Sequence, residues 1–142
     1  MSTTNHITTK WLGKMAFESN NPSGLNLKID AGPDDGGEGS GFRPKALMLS
    51  GLAGCSGLDI AGLIKKMKLE VDNFHIETIA NLTDEHPKYY DKVLVEYHFH
   101  GDHLDEKKLK KAVDLSVKKY CGVMEMFRQF SEMEIKTIFH HI

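Results

Sequence analysis

Cysteine is scarce in this chain. Two thiols in 142 residues are too few for a disulfide-built scaffold, and the polar stretch 1–10 carries no apolar segment of the kind a secretion signal needs. Together these predict a reducing, cytoplasmic setting, where thiols are reactive or inert rather than structural. A charge excess is missing too. Eighteen Lys and Arg against twenty Asp and Glu leave a formal charge of −2, which excludes the broad basic footprint of a nucleic-acid binder. The longest weakly charged run, residues 46–64, is interrupted by Asp59 and lightened by Gly51, Gly54, Gly57 and Gly62. A membrane span needs about 20 predominantly apolar residues and tolerates a mid-span carboxylate poorly, so this run is expected to be a helix buried in protein. Hydrophobic content of 40% with 27% charged residues is then that of an ordinary folded domain, expected to be single over 1–142.

The pattern of residues predicts the order ββ-α-ββ-αα-β. Residues 7–17 and 24–29 read as strands joined by the turn Asn20-Asn21-Pro22-Ser23-Gly24. The segment 31–41 holds five glycines and no large apolar side chain, the composition of a mobile surface loop. Pro44 suits the first turn of a helix running to about residue 68. Glycine inside a helix costs about 1 kcal/mol relative to alanine. Four of them at three- and four-residue spacing imply close approach of another backbone. Residues 71–82 and 92–100 alternate as strands, with Val93, Val95, Tyr97 and Phe99 on one face and Glu96, His98 and His100 on the other. Asp105 is placed to cap a helix through residue 119, a shorter helix spans 121–130, and 134–140 closes as a strand. This is an α+β fold with antiparallel sheet. A single amphipathic sheet cannot cover so apolar a first helix on all sides, so a dimer is expected.

Two segments carry the chemistry. Arg43-Pro44 is followed by an apolar run, Gly54-Cys55-Ser56, Asp59 and the exit Lys65-Lys66-Met67-Lys68, and Lys119-Tyr120-Cys121 lies 66 positions beyond Cys55. In these residues, and in the order of its elements, the sequence resembles the OsmC-like branch of the OsmC/Ohr family along nearly its whole length. The resemblance implies an intertwined homodimer, its sheets wrapped around central helices, and a role in the response to oxidative stress. It further implies a thiol peroxidase in which Cys55 attacks an organic hydroperoxide, Cys121 resolves the product as a disulfide, and a dithiol reductant restores both thiols. Arg43 is then the cation that stabilises the thiolate. No cofactor, metal, nucleic acid or membrane belongs to this reading.

Local physics points the other way for the two thiols. Cys121 opens a helix and follows Lys118 and Lys119, features that lower a thiol pKa, whereas Cys55 sits mid-helix one turn from Asp59. By that argument Cys121 is the more acidic. The family's peroxidases also carry a Glu soon after the helix-opening proline and an Arg on an N-terminal strand. Here Lys45-Ala46 follow Pro44 and the first hairpin offers only Lys10 and Lys14. The alternative function is therefore a non-catalytic dimer binding an apolar or anionic small molecule in the cleft between chains. Glu96, His98, His100 and nearby His103 have donor types that bind zinc-like ions, but a solvated outer sheet face is the expectation there. His140 and His141 point to opposite faces of a strand. The six lysines between 107 and 119 read as the solvated side of a helix, and Met124, Met126, Phe127 and Met133 as core.

Overall fold

The computed structural model describes residues 3–142, so the first two residues of the polar N-terminal stretch lie outside the described residues. The chain divides into two compact units, one up to Met48 and one from Leu49 onward.

The first unit is a three-stranded antiparallel sheet in the order β1-β2-β3, formed by β1 (Thr9–Gly13), β2 (Ala16–Ser19) and β3 (Leu27–Ile29). The single strand expected over 7–17 is instead a hairpin. Gly13 (φ 97°) and Lys14 (φ 51°) both enter the left-handed region and reverse the chain, and the Trp11 indole N–H donates to the Lys14 carbonyl at 2.8 Å. The glycine-rich segment after β3 is likewise better tied than its composition predicts. Asp30 Oδ2 accepts from the Glu38 and Ser40 backbone N–H groups at 3.2 and 3.1 Å and from the Ser40 hydroxyl at 2.7 Å. A short 3-10 turn, Pro33–Asp35, fills the loop. Gly37 is required there, because a β-carbon would lie 2.0 Å from the Ala31 carbonyl oxygen. Asp30 is the only buried residue of this unit among those described, while Trp11, Leu12, Leu25 and Phe42 are more than half exposed.

α1 (Pro44–Lys66) begins in the first unit and continues through the second. It ends where Lys68 takes a left-handed conformation (φ 55°) and the Leu69 N–H donates to the Ile64 carbonyl. By length and composition it could cross a membrane, with a mean hydropathy of 1.6 over its most apolar window. The burial expected for it is confined within one chain to a single stripe, Leu52, Ser56 and Ile60. These recur every four residues and so share one face.

In the second unit, β4 (Asn73–Leu82), β5 (Tyr90–Gly101) and β6 (Glu132–His141) make a sheet in that order. β4 and β5 are antiparallel, as are both pairs of the first sheet, but β5 and β6 run parallel, so the antiparallel expectation fails at that one pair. A parallel neighbour needs a long crossover, supplied by α2 (Glu106–Leu115) and α3 (Gly122–Arg128). Asp105 caps α2 as its sequence predicts, accepting from the Lys108 N–H at 3.1 Å. Val93, Val95, Tyr97 and Phe99 of β5 are buried with Leu52, Ile60, Leu109, Val113, Met124 and Phe127, which form the core. Met126 is exposed and Met133 half-buried, so the methionine cluster is core only in part.

The Asp30 hydrogen bonds have a pH consequence. Those from Ser40 hold its carboxyl down at about 2, against an ordinary 3.8. The contribution is therefore whole above pH 3.8 and is lost as pH falls towards 2. Carboxyl-detected NMR titration is expected to place the Asp30 midpoint near 2, and Ser40→Ala to move it up towards 3.8.

Candidate functional site: a buried thiol pair tied to a hydroxyl chain

The helix predicted to reach residue 119 ends earlier. After Leu115 the backbone widens into a five-residue π turn, Ser116–Tyr120, closed by the Cys121 N–H donating to the Ser116 carbonyl at 2.8 Å. One extra residue in a helical turn rotates everything after it by about 100°, and such insertions cluster at functional sites. Here Ser116, Val117 and Cys121 point inward while Lys118, Lys119 and Tyr120 are exposed. Cys121 becomes the N-cap of α3, its Sγ accepting from the Met124 N–H at 3.3 Å.

That turn is held against α1 and β5 by a chain of hydroxyls. Ser116 Oγ donates to Asp59 Oδ2 at 3.0 Å, leaving its lone pairs for Ser56 Oγ at 2.7 Å, which in turn meets Tyr97 Oη at 2.7 Å. A carboxylate oxygen can only accept, so the protons run in one direction, from Tyr97 through Ser56 and Ser116 to Asp59. Ser56, Ser116 and Tyr97 are fully buried. Buried hydroxyls must be paired, and each is. None of the three was singled out from the sequence as a site residue. Their signal was present, since Ser56 interrupts the apolar stripe between Leu52 and Ile60, and Tyr97 belongs to the inward face of β5.

Cys55 and Cys121, both free thiols, lie beside this chain, Cys55 packed against the core that contains Cys121 and near enough to influence its acidity. Cys55 is half-buried and Cys121 is 3% exposed. The sequence argument that Cys121 is the more acidic fails on burial. Desolvation, and after it the Cys55 side chain and Asp59, push the Cys121 thiol up to about 11, despite the opposing N–H bond from Met124. The lysines counted in its favour face solvent, where their charge is screened. Cys121 therefore keeps its proton at neutral pH. The same burial, relieved only in part by Ser56, raises the Tyr97 phenol to about 12. Arg43 belongs to the first unit, where its Nη1 donates to the Gly41 carbonyl at 3.0 Å and its guanidinium lies against Gly32.

The histidines on the opposite face of the second sheet also group together. His98 meets His140 at 2.8 Å and Glu96 at 3.1 Å, and His100 meets His75 at 3.1 Å. Desolvation and the neighbouring His140, His75 and His98 rings hold His100 below its ordinary pKa. His103 is not part of this group and sits by Asp102 at 3.8 Å.

Known proteins resemble this chain in sequence and in fold. The family model described as OsmC-like protein matches residues 37–136. Protein YhfA of Escherichia coli K12 is 24% identical over 120 residues, covering 84% of this chain and 87% of its own length. The crystal structure of a hypothetical protein from Aquifex aeolicus superimposes with a TM-score of 0.86 at 26% identity, over 99% of both chains. An organic hydroperoxide resistance protein OsmC of Legionella pneumophila superimposes at 0.71 and 17% identity, over 96% of this chain and 97% of that one.

Two measurements check the site. Removing the Ser116 hydroxyl strands Ser56 and Asp59, and an unsatisfied buried polar group costs about 1–3 kcal/mol. Ser116→Ala is expected to lower urea-unfolding stability by that amount. In Cys55→Ser protein, alkylation of Cys121 by iodoacetamide is expected to stay slow through neutral pH and to climb steeply only well above the range of an ordinary thiol, because burial outlasts the loss of Cys55.

Proposed function

The chain belongs to the OsmC-like family, and from that premise we propose that it is a thiol-dependent peroxidase reducing organic hydroperoxides, one domain over 1–142 working as a homodimer. The observation that carries the reading is that Cys55 and Cys121, 66 positions apart in sequence, are brought close together, because a resolving thiol has no use unless it lies within reach of the sulfur it must attack. The hydroperoxide-resistance protein of Legionella pneumophila, with its shared fold, supports the substrate class.

The steps balance as follows. The Cys55 thiolate attacks the outer peroxide oxygen, the O–O bond breaks, and the alkoxide leaves and takes a proton to become the alcohol. Cys55 is then a sulfenic acid. Oxidation removes the negative charge that helped hold the proton on Cys121, so Cys121 gives it up more readily. Its sulfur attacks that of Cys55, a disulfide forms, and the hydroxyl departs as water. An external dithiol reduces the disulfide and is itself oxidised to a disulfide. Arg43, of either chain, is assigned the stabilisation of thiolate and alkoxide by the resemblance of the Arg43-Pro44 segment. A cytoplasmic location accords with the need for reduced thiols.

Dimerisation is supported by what a single chain leaves uncovered. A β-carbon added at Gly51, Gly54 or Gly62 would meet no atom within 4 Å, although helix glycines are costly. Leu58 of the same helix is 78% exposed, and Leu25 and Trp11 in the first sheet are 73% and 67% exposed. A three-stranded sheet with no buried apolar side chain does not stand alone in water. A second copy is the occupant that would use both surfaces at once.

The second reading, a non-catalytic binding dimer, is favoured by one feature. The residues after Pro44, Lys45 and Ala46, supply no carboxylate to hold a guanidinium over the thiol. Single-turnover mixing separates the two. The peroxidase is expected to lose both thiols with tert-butyl hydroperoxide and far more slowly with hydrogen peroxide. Cys55→Ser should abolish the reaction, and Cys121→Ser should stop it at the sulfenic acid. Arg43→Met should slow it without changing a dimeric sedimentation coefficient. Indifference to both peroxides selects the binding module, and a stable monomer at micromolar concentration removes the dimer.

A further inference from the structure

The outer face of the second sheet carries four histidines that its strands bring into register. His75 of β4 pairs with His98 of β5, and His100 of β5 pairs with His140 of β6. Their rings close a cycle of stacked neighbours: His75 on His98 at 4.5 Å, His98 on His140 at 5.1 Å, His140 on His100 at 4.3 Å, and His100 on His75 at 5.1 Å between centroids. The sequence shows only His98 and His100 as outward-facing positions, and the registers of β4 and β6 add His75 and His140.

Proton accounting shows what the cycle can do. Glu96 can only accept, so His98 Nε2 at 3.1 Å carries the proton between them. That leaves His98 Nδ1 with its lone pair, and the 2.8 Å contact to His140 Nε2 is bridged by the proton of His140. The second half repeats the pattern. His75 Nε2 faces Glu77 at 3.7 Å, and His75 Nδ1 meets His100 Nε2 at 3.1 Å. Each half is thus a carboxylate, a histidine oriented by it, and a second imidazole whose shared proton can move to its other nitrogen. A carboxylate behind a ligating histidine is the arrangement that fixes its tautomer and raises its basicity towards metals.

The spacing fits as well. Two nitrogens each about 2.0 Å from one ion lie about 2.8 Å apart at a right angle and about 3.3 Å apart at the tetrahedral angle. The two contacts in the structure, 2.8 and 3.1 Å, fall within that range. Among the described residues no three His, Cys, Asp or Glu donors converge on one point, so the protein supplies two ligands at a time and water completes the shell.

We propose that this face is a binding site for a borderline divalent transition-metal ion, which replaces the proton shared by His98 Nδ1 and His140 Nε2, with Glu96 as the orienting carboxylate. Imidazole pairs suit nickel, copper and zinc and discriminate against magnesium and calcium, which prefer oxygen. The His98 half is the tighter one, since its histidine and glutamate side chains are only 13% and 21% exposed, against 44% and 54% for His75 and Glu77. This inference does not depend on the thiols or on peroxidase activity.

The test is calorimetric titration of the tag-free protein with nickel(II), with NMR of the histidine rings in parallel. One ion per chain is expected to bind ahead of any second, and magnesium should not compete. His140→Ala and His98→Ala should each weaken the first event at least tenfold. Glu96→Gln should weaken it by about tenfold or more, the usual cost of losing an orienting partner, while His103→Ala leaves it unchanged. Paramagnetic broadening should begin at His98 and His140 and spare His103. The proposal is overturned if nickel binds equally to the His98 and His140 variants, if no binding is measurable, or if thiolate-to-nickel charge-transfer absorption places the ion on Cys55 and Cys121.

Discussion

The hydroxyl chain from Tyr97 to Asp59 is the constraint on which the site rests. It joins three pieces of backbone that are remote in sequence: the middle of α1, the centre of β5 and the π turn before α3. A purely apolar contact between these elements would tolerate sliding by a fraction of a turn, because the hydrophobic effect has no direction. Three buried hydroxyls and a carboxylate have direction, and in a low-dielectric interior each unmade bond is costly. The chain therefore sets the position of α1 along the sheet and the rotation of Ser116, and through the π turn it sets where the Cys121 sulfur falls relative to Cys55.

Once the thiols are placed, burial sets the acidity of Cys121. A seven-residue helix with Cys121 at its cap and two preceding lysines are the right ingredients for an acidic thiol, but both act weakly there. The lysines are solvated, and the cap contributes one N–H bond. Desolvation acts on the whole charge of a thiolate, and it prevails. The consequence is that Cys121 holds its proton at neutral pH, as the proposed second step would need. Under the proposed function this is an advantage, because a buried thiol that ionised first would compete with Cys55 for the peroxide.

The two faces of the second sheet follow the alternation of β5 with little error. The inward residues Val93, Val95, Tyr97 and Phe99 build the core, and the outward residues Glu96, His98 and His100 build the histidine cycle. One strand thereby carries an apolar core face and a polar histidine face, which the sheet itself keeps apart. The first sheet shows the opposite condition. Its short strands carry large apolar side chains and bury none of them, a surface with a reason to exist only if something covers it.

The sequence by itself determined what depends on local pattern. The period of apolar residues placed the helix after Pro44, the alternation placed β4 and β5, Asp105 marked the start of α2, and two cysteine segments at their separation pointed to the OsmC-like family. Properties that depend on which distant residues meet were decided only in three dimensions. Gly13-Lys14 is too inconspicuous a pair to signal that a strand folds back on itself. β6 lies parallel to β5 because the α2–α3 crossover carries the chain back to the same end, and no local pattern encodes direction of pairing. The π turn is invisible as a one-residue insertion in a helical pattern, yet it decides that Ser116 and Cys121 face inward. The acidity expected of Cys121 was lost for the same reason: charge neighbours can be read along a chain, but exclusion of water is a property of the packed structure.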